Sequence, residues 1–140
     1  MSSNVRSDFN TSPTFVEGSI YESVVAEELI KAGFVIVSRN FKLGVDELDL
    51  IALEGDTLCI IEVKARNNVG LLEEIEVLID DKKRQKMKAL GSYFAKSHRG
   101  LGFKNLRFDF ALVTIPRKAG EEPLVRYYRN AFIPSATGNF

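Results

Sequence analysis

Asp49, Glu62 and Lys64 lie in two runs rich in apolar residues, Glu47-Leu48-Asp49-Leu50-Ile51-Ala52-Leu53-Glu54 and Thr57-Leu58-Cys59-Ile60-Ile61-Glu62-Val63-Lys64-Ala65-Arg66, separated by Gly55-Asp56. A Gly-Asp pair between such runs marks a tight hairpin, with the glycine where positive φ is needed. A two-residue loop sets Glu54 opposite Thr57, which brings Asp49 opposite Glu62 and Glu47 opposite Lys64. The other face then carries Leu48 against Val63, Leu50 against Ile61 and Ala52 against Cys59, an apolar set suited to burial. A three-residue loop would mix the acids with the core face. Directly opposed like charges destabilise a sheet by about 0.2–1 kcal/mol, so this register calls for a cation between Asp49 and Glu62. Carboxylate oxygens suit Mg²⁺ or Mn²⁺, and Lys64 on the same face could orient or deprotonate a water of such an ion. That chemistry is phosphodiester hydrolysis.

The elements around the hairpin must position these groups. A first helix is expected from Glu17 or Ser19 to Gly33, with Tyr21, Val25, Leu29 and Ala32 on its apolar stripe and Glu22 at the border. On spacing alone, Glu22 reads as a solvated acid favoured by the helix dipole. Phe34 to Ser38 reads as a strand buried on both faces. Arg39-Asn40 serves equally as a closing turn or as a phosphate contact. Asn67 to Gly70 reads as a loop, and Leu71 to Ile79 fits helical and alternating patterns alike. Asp80 is a candidate N-cap for a helix running to about His98, with Met87, Leu90 and Phe94 on its apolar stripe and Ala89 and Tyr93 at the edge. Its other face carries Lys82, Lys83, Arg84, Lys86, Lys88 and Lys96, either a solvated face or a phosphate-binding one. Asn105 to Ile115 and Leu124 to Tyr128 read as strands, the latter at the sheet edge. Arg107 and Asp109 share a side, either as a structural pair or with Asp109 supporting a metal site. The crossover through the second helix is long enough to make the strands of Glu62 and Asp109 parallel.

With 140 residues, 45% of them hydrophobic, the chain suits one domain: a flexible arm over 1–14, a folded unit over 15–133 and a loose tail over 134–140. Lys plus Arg equals Asp plus Glu at 19 each, so a nucleic-acid footprint must come from charge distribution rather than charge balance. A single cysteine excludes an intramolecular disulfide, and Cys59 falls on the apolar face of its strand. With His98 the only histidine, a Cys/His zinc site or a Ser-His-Asp triad has no support. No signal-peptide core or membrane-length apolar run is present, so a cytoplasmic location and no membrane association are expected.

An acid on one strand, Glu-x-Lys on the next and a glutamate on a preceding helix resemble the PD-(D/E)xK nuclease superfamily. More narrowly, the chain resembles the YraN-type family of predicted endonucleases related to archaeal Holliday-junction resolvases. The matching segments are Gly18 with Glu22, Gly33-Phe34, Arg39-Asn40, Glu47 to Ala52, Glu62 to Arg66, Arg107-Phe108-Asp109 and Arg129-Asn130-Ala131-Phe132. One departure is visible: the family pattern has a glycine directly before the first glutamate of the Glu47 segment, whereas Val45-Asp46 here separates Gly44 from Glu47. The resemblance implies a restriction-endonuclease-like α/β/α sandwich with a mixed central sheet, in the order α-β-β-β-α-β-β. It further implies Asp49 and Glu62 as ligands of Mg²⁺ or Mn²⁺, with the main-chain carbonyl of Val63 helping. Lys64 would align the attacking water, and Glu22 would position the metal or a second one. Arg39, Asn40, Arg66, Lys82, Lys83 and Lys86 are the candidate nucleic-acid contacts. DNA, branched DNA included, is the implied partner, and a homodimer would supply paired active sites. The rival expectation is a catalytically inactive nucleic-acid-binding or protein-interaction module on the same fold.

Overall fold

The computed structural model describes residues 13–67 and 80–131; the segment 71–79, most of the expected N-terminal arm and the expected C-terminal tail lie outside the described residues. In chain order the elements are α1 (Pro13–Lys31), β1 (Val35–Leu43), β2 (Asp46–Glu54), β3 (Thr57–Arg66), α2 (Asp81–Ser97), a short 3₁₀ turn (Arg99–Leu101), β4 (Asn105–Thr114) and β5 (Leu124–Tyr128). The five strands form one sheet in sequential order, with β3 and β4 parallel and every other pair antiparallel. This is the mixed-sheet α/β/α sandwich that the element order implied. Among the described residues no helix is long and apolar enough to cross a membrane.

Helix α1 starts at Pro13, earlier than the expected Glu17 or Ser19. Proline lacks the N–H that a first turn leaves unpaired anyway, so it opens a helix readily. Val25, Ala26 and Leu29 pack on one sheet face with Phe34, Leu50, Ala52, Cys59, Ile61, Ala111 and Val113. Helix α2 begins at the expected cap, where Asp80 Oδ1 accepts the Lys83 N–H at 2.9 Å. It lays Met87, Leu90, Phe94 and Ala95 on the opposite face, against Leu48, Ile51, Leu58, Ile60, Phe108, Phe110 and Leu112. Gly91 makes this contact close: a Cβ there would stand 2.8 Å from Phe108 Cε1 and 3.0 Å from Ile60 Cγ1. Tyr93 and Ala89, expected at the edge of the stripe, are exposed.

Two sequence expectations need correction. The run from Phe34 was expected to be buried on both faces, but β1 is an edge strand with Val35 61% exposed. Its apolar residues serve the two cores alternately, Ile36 on the α1 side and Val37 and Phe41 on the α2 side. The second correction concerns the central hairpin. Its turn is as expected, with Gly55 at φ 61° and Glu54 opposite Thr57, and the register continues through Ala52 opposite Cys59 to Leu50 opposite Ile61. There the ladder ends, short of Asp49 and Glu62. Leu48 does not share the face of Leu50: it joins the α2-side core, whereas Leu50 joins the α1-side core. The strand turns over at Asp49. Across the sheet Leu50 pairs with Arg39 and Leu48 with Phe41, and the intervening Asn40 has φ 54°. Asparagine tolerates this left-handed conformation better than most residues, so both strands change face at one level.

On the α1 side, Arg107 and Asp109 pair structurally. Arg107 Nε donates to Asp109 Oδ1 at 2.9 Å, and Arg107 Nη2 donates to Glu54 Oε1 at 2.6 Å. The fully buried Asp109 also accepts from the Tyr127 hydroxyl at 2.5 Å and from the Asn130 N–H at 2.9 Å. Arg129 closes the group on Glu54. The segments Arg107-Phe108-Asp109 and Arg129-Asn130-Ala131 thus meet in one polar network that ties β5 and its continuation to β2 and β4. Burial, foremost, pushes the adjacent Cys59 thiol up to about 12, in keeping with a core residue rather than a nucleophile.

Candidate active site

The turnover of β2 aims its acids out of the ladder. With the ladder ended at Leu50, the Val63 N–H donates at 2.9 Å to Asp49 Oδ2, so a side chain replaces a strand carbonyl as its partner. Glu22 of α1 and Glu47 of β2 converge on Asp49, one oxygen from each lying within 4.8 Å of the others. Asn40 holds two of these acids: with its amide assigned so that the nitrogen faces the carboxylates, it donates to Glu22 Oε1 at 2.9 Å and to Glu47 Oε2 at 2.8 Å. The left-handed backbone at Asn40 therefore lies beside the acids it holds. Burial, followed by the charges of Asp49 and Glu47, pushes the Glu22 carboxyl up to about 7.

Glu62, on β3, is 2% exposed and belongs to the same electrostatic unit. Burial first, then the charge of Asp49, pushes its carboxyl up to about 7, while Lys83 and Lys64 oppose the rise. Lys64 Nζ lies 3.4 Å from Glu62 Oε2, and Lys83 Nζ of α2 lies 3.7 Å from Glu62 Oε1. A cleft of about 330 Å³ opens beside these groups, lined by Val45, Asp46, Glu47, Asp49, Lys83 and Lys86 over Met87 and Leu90. A larger cleft of about 510 Å³ lies between the ends of β3 and β4 and the segment before β5, away from the acids. Chemistry, not size, selects the smaller one.

The expected site residues thus divide. Glu22, Asp49, Glu62 and Lys64 come together, and the Val63 main chain joins them through its N–H. Asn40, expected as a turn residue or a phosphate contact, bridges two carboxylates. Lys83 faces Glu62, and Lys86 lies 3.8 Å from Asp46 Oδ1. Lys82 is exposed on α2, Arg39 is exposed on β1, and the Arg66 guanidinium donates to its neighbouring Ala65 carbonyl at 3.0 Å. Glu47 was not singled out in the sequence. It had been set opposite Lys64; its spacing of two from Asp49 was the available signal.

The donors of this cluster are carboxylate oxygens, with no imidazole or thiolate among them. Such a set fits a small hard divalent cation that keeps part of its water shell. One Asp49 oxygen accepts from the Val63 N–H, and the Asp49 carboxyl lies within hydrogen-bond reach of the Glu22 and Glu62 carboxyls. Glu62 already faces the ammonium groups of Lys64 and Lys83.

Comparison with known proteins bears on most of the chain. The model of the uncharacterised protein family UPF0102 matches residues 21–113. A UPF0102 protein of Dictyoglomus turgidum is 33% identical over 115 residues, spanning 82% of this chain and 95% of the relative. One from Renibacterium salmoninarum is 35% identical over 112 residues, spanning 80% and 92%. Among solved structures, that of Archaeoglobus fulgidus Hjc, a Holliday junction resolvase from an archaeal hyperthermophile, is similar with 27% identity and a TM-score of 0.46, over 79% of this chain and 75% of that one. The family match spans α1 from Tyr21, the central hairpin, α2 and nearly all of β4, and with it every acid of the cluster: the chain belongs to the UPF0102 family.

Proposed function

We propose that this protein is a metal-dependent endonuclease that hydrolyses phosphodiester bonds in DNA, with structured or branched DNA as its substrate class. The observation that supports this reading most directly is the convergence of Glu22, Glu47 and Asp49, with Glu62 and Lys64 next to them, beside a cleft that Glu47, Asp49 and Lys83 line. Like charges so close raise the energy of the metal-free site, and a divalent cation relieves that cost. In this reading Asp49 and Glu62, with the Val63 carbonyl, hold Mg²⁺ or Mn²⁺, and Glu22 and Glu47 complete the acidic wall. The ion would supply an acidified water and charge neutralisation at the phosphate. Lys64 orients the attacking water and meets the charge that develops on the phosphate. Asn40 keeps Glu22 and Glu47 together while the cleft is empty of substrate. Lys82, Lys86, Arg39 and Arg66 provide cations for the flanking phosphates. A cytoplasmic homodimer would carry two such sites, as paired cuts at a branch point require.

The test is titration of Mn²⁺ into the wild-type protein and into Asp49→Asn by calorimetry, followed by incubation of both with a four-way junction and a linear duplex. Binding and junction cleavage by the wild type, both lost in Asp49→Asn with DNA binding equal or tighter, is the expected result. A cleaving Asp49→Asn variant would sink the assignment. The two lysines on Glu62 favour one rival, a binding module whose acids are neutralised by protein cations alone. Under that rival the wild type takes up no Mn²⁺ at millimolar concentration and retains DNA without cutting it.

A further inference from the structure

Resting on the nuclease reading, we infer that Lys83 is a positioning residue that couples DNA binding to metal loading. In the metal-free protein its ammonium holds Glu62, and a DNA phosphate entering the cleft draws it away and releases that carboxylate to the cation.

Three observations carry this. First, each Glu62 oxygen faces a different lysine, Oε2 facing Lys64 at 3.4 Å and Oε1 facing Lys83 at 3.7 Å, while only 3% of the Glu62 side chain is exposed. A carboxylate so enclosed meets a cation only after an ammonium withdraws. The convergent acids Glu22, Glu47 and Asp49 are, by contrast, gathered without it. Second, Lys83 is the member of the pair that can withdraw. It lines the cleft beside Glu47 and Asp49, where an incoming phosphate would meet it, whereas Lys64, similarly exposed at 32% against 39%, does not line that cleft. Third, Lys83 stands in the first turn of α2, where the helix dipole disfavours an added positive charge. Glu62 offsets that cost, and so would a phosphate.

The exchange conserves local charge. Lys83 leaves one anion for another as the metal takes its place on Glu62, so neither the nearly buried carboxylate nor the ammonium is left unpaired. By linkage, DNA then tightens metal binding and metal tightens DNA binding through this one side chain.

The experiment is calorimetric titration of Mn²⁺ into wild type, Lys83→Gln, Lys83→Arg and Lys86→Gln, each with and without a phosphorothioate-protected junction that resists cleavage. Lys86 lines the same cleft but faces Asp46, so Lys86→Gln reports the general effect of removing one positive charge. Without DNA, Lys83→Gln is expected to bind Mn²⁺ about fivefold more tightly than wild type, with Lys86→Gln changing less and Lys83→Arg close to wild type. Adding the junction should tighten Mn²⁺ binding more in wild type than in Lys83→Gln. Mn²⁺ affinity in Lys83→Gln equal to or weaker than wild type, or a gain in Lys86→Gln as large as in Lys83→Gln, overturns the inference while leaving the nuclease reading intact. No Mn²⁺ uptake by any of the four proteins overturns both.

Discussion

Replacing Glu22 by glutamine should stabilise the metal-free protein, and by an amount that depends on pH in a defined way. The Glu22 carboxyl is pushed from its ordinary 4.5 up to about 7 by burial and by Asp49 and Glu47. Below pH 4.5 it is protonated in the folded and the unfolded chain alike, and contributes no difference. Between 4.5 and 7 the unfolded chain releases the proton that the folded chain keeps, so stability falls as pH rises; above 7 the whole penalty is present. A rise of this size corresponds to a ceiling of about 3 kcal/mol, and water reaching the partly exposed side chain reduces it to about 1–2 kcal/mol. Glutamine keeps the length of the side chain and a carbonyl to accept from Asn40, while removing the charge. Urea unfolding in EDTA at pH 5, 6, 7 and 8 should therefore show the two proteins nearly equal at pH 5 and the variant ahead by that margin at pH 8. A stability difference that stays constant across this range, or that favours wild type at pH 8, would refute the electrostatic account of the acidic wall.

Asp109→Ala should cost about 3–5 kcal/mol in urea unfolding, because it leaves the Arg107 charge, the Tyr127 hydroxyl and the Asn130 N–H without their shared partner. Metal binding at the acidic cleft should survive in whatever fraction folds. Gly91→Ala should cost about 1–3 kcal/mol, since the added methyl meets Phe108 and Ile60 inside contact distance; an unchanged unfolding midpoint would mean that α2 shifts freely on the sheet. Arg129 first, then Arg107, hold the Glu54 carboxyl down to about 2 against the opposing effect of burial. Glu54 therefore contributes stability that is full above its ordinary 4.5 and is lost as pH falls through about 2. Glu54→Gln should accordingly lower stability at pH 7 by about 1 kcal/mol after solvent screening, with the difference shrinking on acidification as followed by circular dichroism.

The hairpin was legible because two local signals agree: Gly55-Asp56 sets the turn, and the apolar residues of both strands have one register that buries them. That register was enough to bring Asp49 and Glu62 to one end of the site. The turnover at Asp49 was not legible, since alternation carries forward by parity and encodes no left-handed residue such as Asn40. The edge position of β1 was hidden for a related reason: a continuous apolar run reads as doubly buried, whereas this strand feeds two cores in turn. Periodicity on α2 separated Met87, Leu90 and Phe94 from the lysines, but a helical stripe does not say which anion a lysine meets, and Lys83 met Glu62. That Arg107 and Asp109 share a side followed from strand alternation, which left open whether they pair or Asp109 supports a metal site; the structure pairs them. Their partners Glu54, Tyr127 and Asn130 come from other parts of the chain, where only the fold brings them into reach.

The left-handed Asn40 and the acids it bridges also bear on the order in which the protein assembles. Glu47 and Asp49 lie within a short stretch of β-hairpins, and hairpins close within about 1–10 µs. Glu22 arrives on a separate helix that docks against the sheet once it exists. The repulsion of Glu22 by Asp49 and Glu47 is therefore felt when α1 docks, and the Asn40 amide is the group that faces the Glu22 carboxylate. Docking of α1 is thus sensitive to acid and to divalent cations, and so is closure of the β2–β3 hairpin, which brings Asp49 beside Glu62. The acidic wall thereby makes the stability of this fold respond to its ionic surroundings before any substrate is present.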